Sequence, residues 1–164
     1  MYKRQTEICI LADETADPEF VAADLLAQAE HGTNSQSVLI TTSRALADAV
    51  TREIDRQLAV LPTADAAGAS WRDYGEILLV EDDEEMRRVS DQVASEHLEV
   101  QTRDPAWFLA RLKNYGSLFL GRNATVAYGD KGIGTNHVLP TGHAARYTGG
   151  LWVCLLYTSP SPRD

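Results

Sequence analysis

Short runs of β-branched and aliphatic residues alternate along the chain with longer stretches in which apolar positions recur at helical spacing. Five runs predict β-strands, over residues 6–12, 37–42, 76–80, 97–102 and 116–121. The composition of the second run, SVLITT, is typical of a strand that is buried on both faces of a parallel sheet. Five strands separated by helices predict an α/β layered fold with a largely parallel sheet.

The stretches between the strands carry helix start signals. Asp17 with Pro18, and again Asp104 with Pro105, pair an N-cap residue with a proline at the first helical position. In the first of these helices, four residues recur at helical spacing: Phe20, Ala23, Ala27 and Gln28. Ser43 is predicted to cap a long helix whose stripe toward the core consists of Leu46, Val50, Ile54, Leu58 and Leu61.

Three further segments complete the pattern. The run DDEEMRRVSDQV predicts a helix with an acidic first turn, and the alanine-rich run LPTADAAGAS is interpreted as a soft connection. A glycine-rich segment, Asn123 to Thr148, follows the fifth strand, and its backbone is entropically costly to order. Because parallel sheets bind ligands at the carboxyl ends of their strands, we expect this segment to lie over that edge and to be functional.

Composition narrows the function classes. The length of 164 residues with 44% hydrophobic residues predicts a single globular domain. A net charge of −9 gives no electrostatic attraction to nucleic acid or to anionic membranes, so neither is an expected partner. Two cysteines, Cys9 and Cys154, make no disulfide framework, and no run suggests targeting or a membrane span. We therefore expect a cytoplasmic protein.

One candidate site lies at the end of the first helix. Gln28 and His31 are three residues apart, which places both side chains on one helix face. An amide oxygen and an imidazole nitrogen there could bind one cation. The alternative is a solvated helix end at which His31 bonds to the last carbonyl groups.

Two further pairs combine carboxylate and imidazole. Glu96 and His97 are adjacent where a helix passes into a strand, and such a pair can move protons near neutral pH. The alternative is a solvated turn before an edge strand. Asp130 and His137 lie in the glycine-rich segment. Asp130 could be a turn residue and His137 a packed histidine, or both could bind a metal ion. With the helix-end pair they would make an oxygen and nitrogen donor set that suits zinc or another first-row divalent metal.

These segments together resemble the histidinol dehydrogenase family. The runs TEICILADETADPEFVAADLLAQAEH, ASEHLEV, GSLFLG and GDKGIGTNHVLPT occur in the family's order and spacing, over about residues 6–153. The resemblance implies that this range is the central, incomplete part of a larger two-domain, Rossmann-like enzyme. It further implies a homodimer with one Zn²⁺ per subunit. Such an enzyme uses NAD to oxidise an amino alcohol, histidinol, through a bound aldehyde to a carboxylate.

The resemblance also assigns roles to residues. The zinc ligands would be Gln28, His31 and Asp130, which also contact the substrate, and a histidine of the partner subunit would be the fourth ligand. His97 would take the hydroxyl proton and contact the substrate, and Glu96 would activate water for the second oxidation. The remaining substrate contacts would be Thr6 and His137. No NAD-binding residue is expected here, because the family's NAD-contacting region precedes residue 6.

Some positions depart from the family pattern. Ser95 stands where many members have proline, and Lys131 stands where they usually have an aromatic residue. A cation at that position suits an anionic substrate group, so a paralogous dehydrogenase of a sulfonated propanediol is an alternative. A second alternative is a metal-binding α/β module that has no catalytic activity of its own. We expect residues 1–5 and 154–164, which leave the family pattern, to be non-native ends.

Overall fold

The fold is an all-parallel sheet covered by helices. The computed structural model describes residues 6–131 and 139–148. Its five strands are β1 (Glu7–Ala12), β2 (Gln36–Thr41), β3 (Gly75–Leu79), β4 (His97–Gln101) and β5 (Ser117–Leu120), in the order β3-β2-β1-β4-β5. All four neighbouring pairs are parallel. The predicted α/β fold is confirmed, and each strand lies within one residue of its predicted range.

Helices cover both faces of this sheet. They are α1 (Pro18–Ala29), α2 (Arg44–Leu58), α3 (Ala64–Tyr74), α4 (Asp83–Val93), α5 (Pro105–Leu109) and α6 (Val126–Lys131), followed by a short 3₁₀ helix (Ala144–Arg146). Alternate residues of β1 face opposite layers. Ile8 and Ile10 pack with α1, α2 and α3, whereas Cys9 and Leu11 pack with α4 and α5. The central strand is therefore buried on both faces.

The predicted caps are confirmed. Asp17 accepts a hydrogen bond from the N–H of Glu19 at 2.9 Å, and Asp104 accepts one from the N–H of Trp107 at 3.1 Å. The hydroxyl of Ser43 likewise caps α2. These bonds satisfy backbone donors that the first helical turn leaves unpaired, so local sequence decides where the helices begin.

The four residues that recur at helical spacing in α1 do not form its buried face. Phe20 is 49% exposed, and Ala23 and Ala27 also face outward, although Gln28 is buried. The buried stripe consists instead of Val21, Ala22, Leu25, Leu26 and Ala29. The leucine and valine side chains offer more apolar area to bury than the alanines do, and they therefore decide the rotation of the helix.

The run interpreted as a soft connection is mostly helical. Residues from Ala64 onward form α3, which continues to Tyr74. Alanine has the highest helix propensity, and Ala67 is completely buried against the core, while the Ser70 hydroxyl donates to the carbonyl of Ser35 at 2.7 Å. Tertiary packing thus stabilises a helix that lacks a strong sequence signal at its start.

The segment after β5 does not stay at the carboxyl edge. It forms α6 and the 3₁₀ helix, and Gly142 near its end donates to the Glu7 side chain at the start of β1. Pro140 approaches Gly116, which precedes β5. The described parts of this segment therefore reach the amino edge of the sheet. Within residues 6–131 and 139–148, no helix is long and apolar enough to span a bilayer.

Candidate functional site

A chain of hydrogen bonds links three elements at the amino edge of the sheet. The amide nitrogen of Gln28, near the end of α1, donates to the hydroxyl oxygen of Thr6. That hydroxyl donates in turn to Glu96 Oε2 at 2.7 Å, and the backbone N–H of Glu7 donates to the same oxygen at 3.2 Å. Residues that are far apart in sequence thus surround one carboxylate. This cluster lies at the amino edge of the sheet, whereas the functional segment was expected over the carboxyl edge.

His97 lies beside this carboxylate. Its Nδ1 is 3.7 Å from Glu96 Oε2 and 3.1 Å from the carbonyl oxygen of Glu7. A carbonyl can only accept, so Nδ1 carries the proton in this contact, and Nε2 remains to take one up. Both residues are buried, and their side chains are 12% and 10% exposed for Glu96 and His97. The alternative of a solvated turn before an edge strand is therefore wrong.

The backbone around Glu96 is tightly constrained. Ala94 ends α4 in the left-handed conformation with φ 50°, an uncommon conformation for a residue with a Cβ atom. A Cβ atom on Gly116 would lie 2.4 Å from the Glu96 carbonyl oxygen, so only glycine allows this approach. Ser117 donates its N–H to that carbonyl at 2.8 Å. The backbone of Glu96, and with it the position of its side chain, is thus fixed by the turn at Ala94 and by the neighbouring strand β5.

Gln28 and His31 line one cleft, as their spacing predicted. The cleft has a volume of about 320 Å³, and residues at the start of α6 form part of its wall: Thr125, Val126 and Ala127. Gln28 is 4% exposed, whereas His31 is exposed. Because the Gln28 amide nitrogen donates to Thr6, its oxygen is the atom of this group that can bind a cation. The cleft therefore adjoins the Glu96 and His97 cluster through Gln28.

The other predicted site residues are less well defined. The backbone of Asp130 belongs to α6, but its side chain lies outside what the structure describes, and His137 lies outside the described residues altogether. Among the described side chains, no group of three or more histidine, cysteine or carboxylate residues is placed to hold a metal. The complete ligand set stays a prediction, of which Gln28 and His31 are brought together.

Sequence reasoning missed one member of the cluster, Glu7. Its side chain is buried and accepts the N–H of Gly142 at 2.6 Å. Burial raises the pKa of this carboxyl group, and the nearby Glu96 raises it further, while the bond from Gly142 opposes both. A charged residue in the otherwise apolar run TEICILA was the available signal.

Comparison with known proteins identifies the family. The family model described as histidinol dehydrogenase matches residues 1–158 of the chain. The chain belongs to the histidinol dehydrogenase family. A crystal structure of histidinol dehydrogenase from Elizabethkingia anophelis superposes with a TM-score of 0.86 at 35% identity, covering 90% of this chain and 34% of that one.

Relatives in this family differ in the substrate that their names give. The sulfopropanediol 3-dehydrogenase of Ruegeria pomeroyi is 56% identical over 150 residues, covering 90% of this chain and 34% of the relative. The histidinol dehydrogenase of Nitrobacter winogradskyi is 49% identical over 148 residues, with the same two shares. The chain spans about a third of the length of the relatives it matches. Both relatives are oxidoreductases by name, and so is the family.

Proposed function

We propose that this chain is part of a zinc- and NAD-dependent dehydrogenase that oxidises a polar alcohol through an aldehyde to a carboxylate. The observation that carries the proposal is the buried contact of 3.7 Å between Glu96 and His97, connected through Thr6 to the cleft of Gln28 and His31. A buried acid and base beside an open cleft is a common arrangement for proton transfer to a bound substrate.

The residues at the cleft fit a zinc ion in their chemistry. Gln28 supplies an amide oxygen and His31 an imidazole nitrogen, and we propose Asp130 as the third ligand from this chain. A bound zinc ion would anchor the substrate through its nitrogen or oxygen atoms and orient the reacting carbon. We further propose that the assembled enzyme is a homodimer whose partner subunit completes the ligand set.

His97 is the proposed base for the first oxidation. Its Nδ1–H bonds to the Glu7 carbonyl, which fixes the tautomer and leaves Nε2 as the proton acceptor. Nε2 takes the hydroxyl proton while the carbinol carbon loses a hydride, and the oxygen's electron pair forms the aldehyde carbonyl. NAD is the proposed hydride acceptor. The substrate is thereby oxidised by two electrons.

Glu96 is the proposed base for the second oxidation. Its carboxylate accepts from Thr6 and from the Glu7 N–H, and both donors suit a group that only accepts. It would remove a proton from water as the water oxygen bonds to the aldehyde carbon. The resulting hydrate anion would lose a hydride, for which a second NAD is the proposed acceptor, and the carboxylic acid formed would release its proton to solvent and become the carboxylate. We propose Thr6 and His137 as further substrate contacts.

Two substrate classes are candidates. Histidinol is the first, since relatives named histidinol dehydrogenase are up to 49% identical among those compared above. A sulfonated propanediol is the second, favoured by the 56% identity to the sulfopropanediol dehydrogenase and by Lys131, whose charge suits an anionic group.

A chimera tests this proposal. Residues 6–148 of this chain would replace the matching segment of the Nitrobacter winogradskyi enzyme, and a second chimera would use the Ruegeria pomeroyi enzyme as host. Each would be supplied with zinc and NAD and assayed with histidinol and with the sulfonated diol. We expect NADH formation with at least one alcohol. Two folded chimeras that bind zinc but oxidise neither alcohol would contradict the proposal.

A further inference from the structure

One face of β4 is polar although it is buried. His97, Glu99 and Gln101 alternate along the strand and face the layer of α1 and α6, while Leu98 and Val100 face the opposite core. Glu99 is completely buried and Gln101 is 3% exposed. The proposed chemistry uses His97 but neither of the other two, so the buried carboxyl group needs a separate explanation.

Glu99 meets a second carboxyl group, that of Asp24 on α1. The two carboxyl groups are close enough to shift each other's pKa. The amide nitrogen of Gln101 bridges them, donating to Asp24 Oδ2 and to Glu99 Oε2 at 3.2 Å each. The pair therefore forms one unit between a helix and a strand that are separated by more than seventy residues.

Arg122, which is exposed, lines a cleft together with Asp24, but no ion pair or hydrogen bond joins the two among the described residues. The groups that act on it within the described part of the chain are Gln101, Thr125 and the backbone of Val126, all uncharged. In the sheet, Ile10 of β1 and Phe119 of β5 flank Glu99. His97, two residues along the same face, is engaged with Glu7 and Glu96.

Glu99 is completely buried beside the partly exposed Asp24, so an ionised Glu99 would place an uncompensated buried charge next to another carboxylate. Glu99 Oε1 has no hydrogen-bond partner among the described residues, and a proton on Glu99 would let this carboxyl group donate to Asp24. Burial, followed by the charge of Asp24, raises the pKa of Glu99 to about 9. Asp24 accepts from Thr125 and Gln101, bonds that suit its ionised form, so Glu99 is the group that holds the proton.

We propose that Asp24 and Glu99 share one proton and act as positioning residues, holding α6 against α1 so that its first turn forms the wall of the cleft lined by Gln28 and His31. The connection is direct. The Thr125 hydroxyl donates to Asp24 Oδ1 at 3.2 Å, and the backbone of Val126 lies close enough to Glu99 to lower its pKa against the effect of burial. Val126 and Ala127 then line the cleft. The inference holds whether or not the cleft binds zinc.

The shared proton gives the unit a defined pH dependence. The folded chain holds a proton on Glu99 that the unfolded chain releases at its ordinary pKa of 4.5. The stabilising contribution is therefore complete below that value and is lost progressively as the pH rises toward about 9. Glutamine at position 99 keeps a donor toward Asp24 at every pH.

The first experiment measures urea unfolding of the 164-residue chain and of its Glu99→Gln variant. Between about pH 5.5 and pH 8.5, we expect the wild-type unfolding equilibrium constant to rise about tenfold per pH unit relative to that of the variant. Asp83→Asn is the matched control, because Asp83 is an exposed acid remote from α6 whose pKa is also raised. Parallel pH profiles of wild type and Glu99→Gln would overturn the proposal.

The second experiment tests the hold on α6 by amide hydrogen exchange over residues 122–131. Thr125→Val removes the hydroxyl that bonds to Asp24, and we expect exchange in this stretch to be about fivefold faster. Thr125→Ser should restore the wild-type rate, and Thr33→Val is the exposed control. Unchanged exchange in Thr125→Val, or the same acceleration in Thr125→Ser, would show that the pair does not position α6.

Discussion

The amino and carboxyl edges of the sheet both gather carboxylate groups, and their surroundings differ. At the carboxyl edge, Asp82 and Asp104 are exposed and accept hydrogen bonds from the first turns of α4 and α5. Arg103 and Glu14 form an exposed ion pair there at 2.6 Å. These acids serve helix capping and solubility, and Asp13, which is buried and accepts the N–H of Arg103 at 2.7 Å, is the exception at this edge.

At the amino edge the carboxylates are buried and bonded across the fold. Glu96 accepts from Thr6, which is 90 residues away, and Glu7 accepts from Gly142, which is 135 residues away. Buried polar groups cost free energy unless they are paired, so such a cluster persists only where long-range packing assembles it. The comparison shows that burial and partners, rather than the number of acids, distinguish the candidate site.

The largest expected effect is on the rates of oxidation when His97 or Glu96 is replaced in an active chimera. His97→Asn should slow alcohol oxidation about a hundred- to ten-thousand-fold, because it removes the base. Glu96→Gln should slow aldehyde oxidation more than alcohol oxidation. Single-turnover NADH formation from each substrate separates the two steps. Asp104→Asn at the carboxyl edge is the control and should change neither rate. Equal slowing of both steps by Glu96→Gln would contradict the assigned roles.

A smaller effect is expected on metal binding. His31→Ala should lower zinc affinity at least about tenfold, since even the loss of a residue that only supports a ligand has an effect of that size. Competition with a chromogenic chelator measures the affinity in the chimera. His143→Ala is the matched control, because that histidine bonds to the carbonyl of Val93 outside the cleft. Equal affinities in both variants would remove His31 from the ligand set.

A smaller effect is expected on stability when the hydrogen bonds between Gln28, Thr6 and Glu96 are removed. Thr6→Val leaves the Gln28 amide and the Glu96 carboxylate without their shared partner, and we expect a loss of about 1–3 kcal/mol in the free energy of unfolding. Thr6→Ser should retain most of it. Urea unfolding measures both, with the exposed Thr33→Val as control, expected to stay within about 0.5 kcal/mol. A Thr6→Val loss no larger than that of the control would mean that the bonds contribute nothing to stability.

The smallest effect is a difference in the sign of the pH dependence. Burial raises the pKa of Glu7, whereas at Asp13 the hydrogen bonds from Arg103 and Thr15 outweigh burial and lower the pKa. Glu7 thus contributes stability that is lost as the pH rises above 4.5, and Asp13 contributes stability that is lost as the pH falls below 3.8.

Unfolding curves of Glu7→Gln and Asp13→Asn against pH check this difference. Relative to wild type, Glu7→Gln should gain stability with rising pH, and the deficit of Asp13→Asn should shrink as the pH falls below 3.8. If the stability of both variants relative to wild type changed with pH in the same direction, the predicted difference between Glu7 and Asp13 would be wrong.

The sequence by itself determined the strands, the helix caps and several members of the candidate site. Strand runs and caps depend on a few neighbouring residues, which is why Asp17, Ser43 and Asp104 could be assigned correctly. The shared face of Gln28 and His31 follows from helix geometry alone. The family, too, could be inferred from ordered motifs, and comparison confirms it.

Only the tertiary structure decided where these pieces meet. The order β3-β2-β1-β4-β5 and the return of the last segment place the cluster at the amino edge, contrary to the general expectation for parallel sheets. No local pattern pairs Glu7 with Gly142 or Asp24 with Glu99, because such contacts depend on which strands become neighbours and on what covers them. Alternation in HLEVQ is typical of a half-exposed strand, yet α1 and α6 cover its polar face. Long-range packing thus converts ordinary surface residue types into buried, interacting groups.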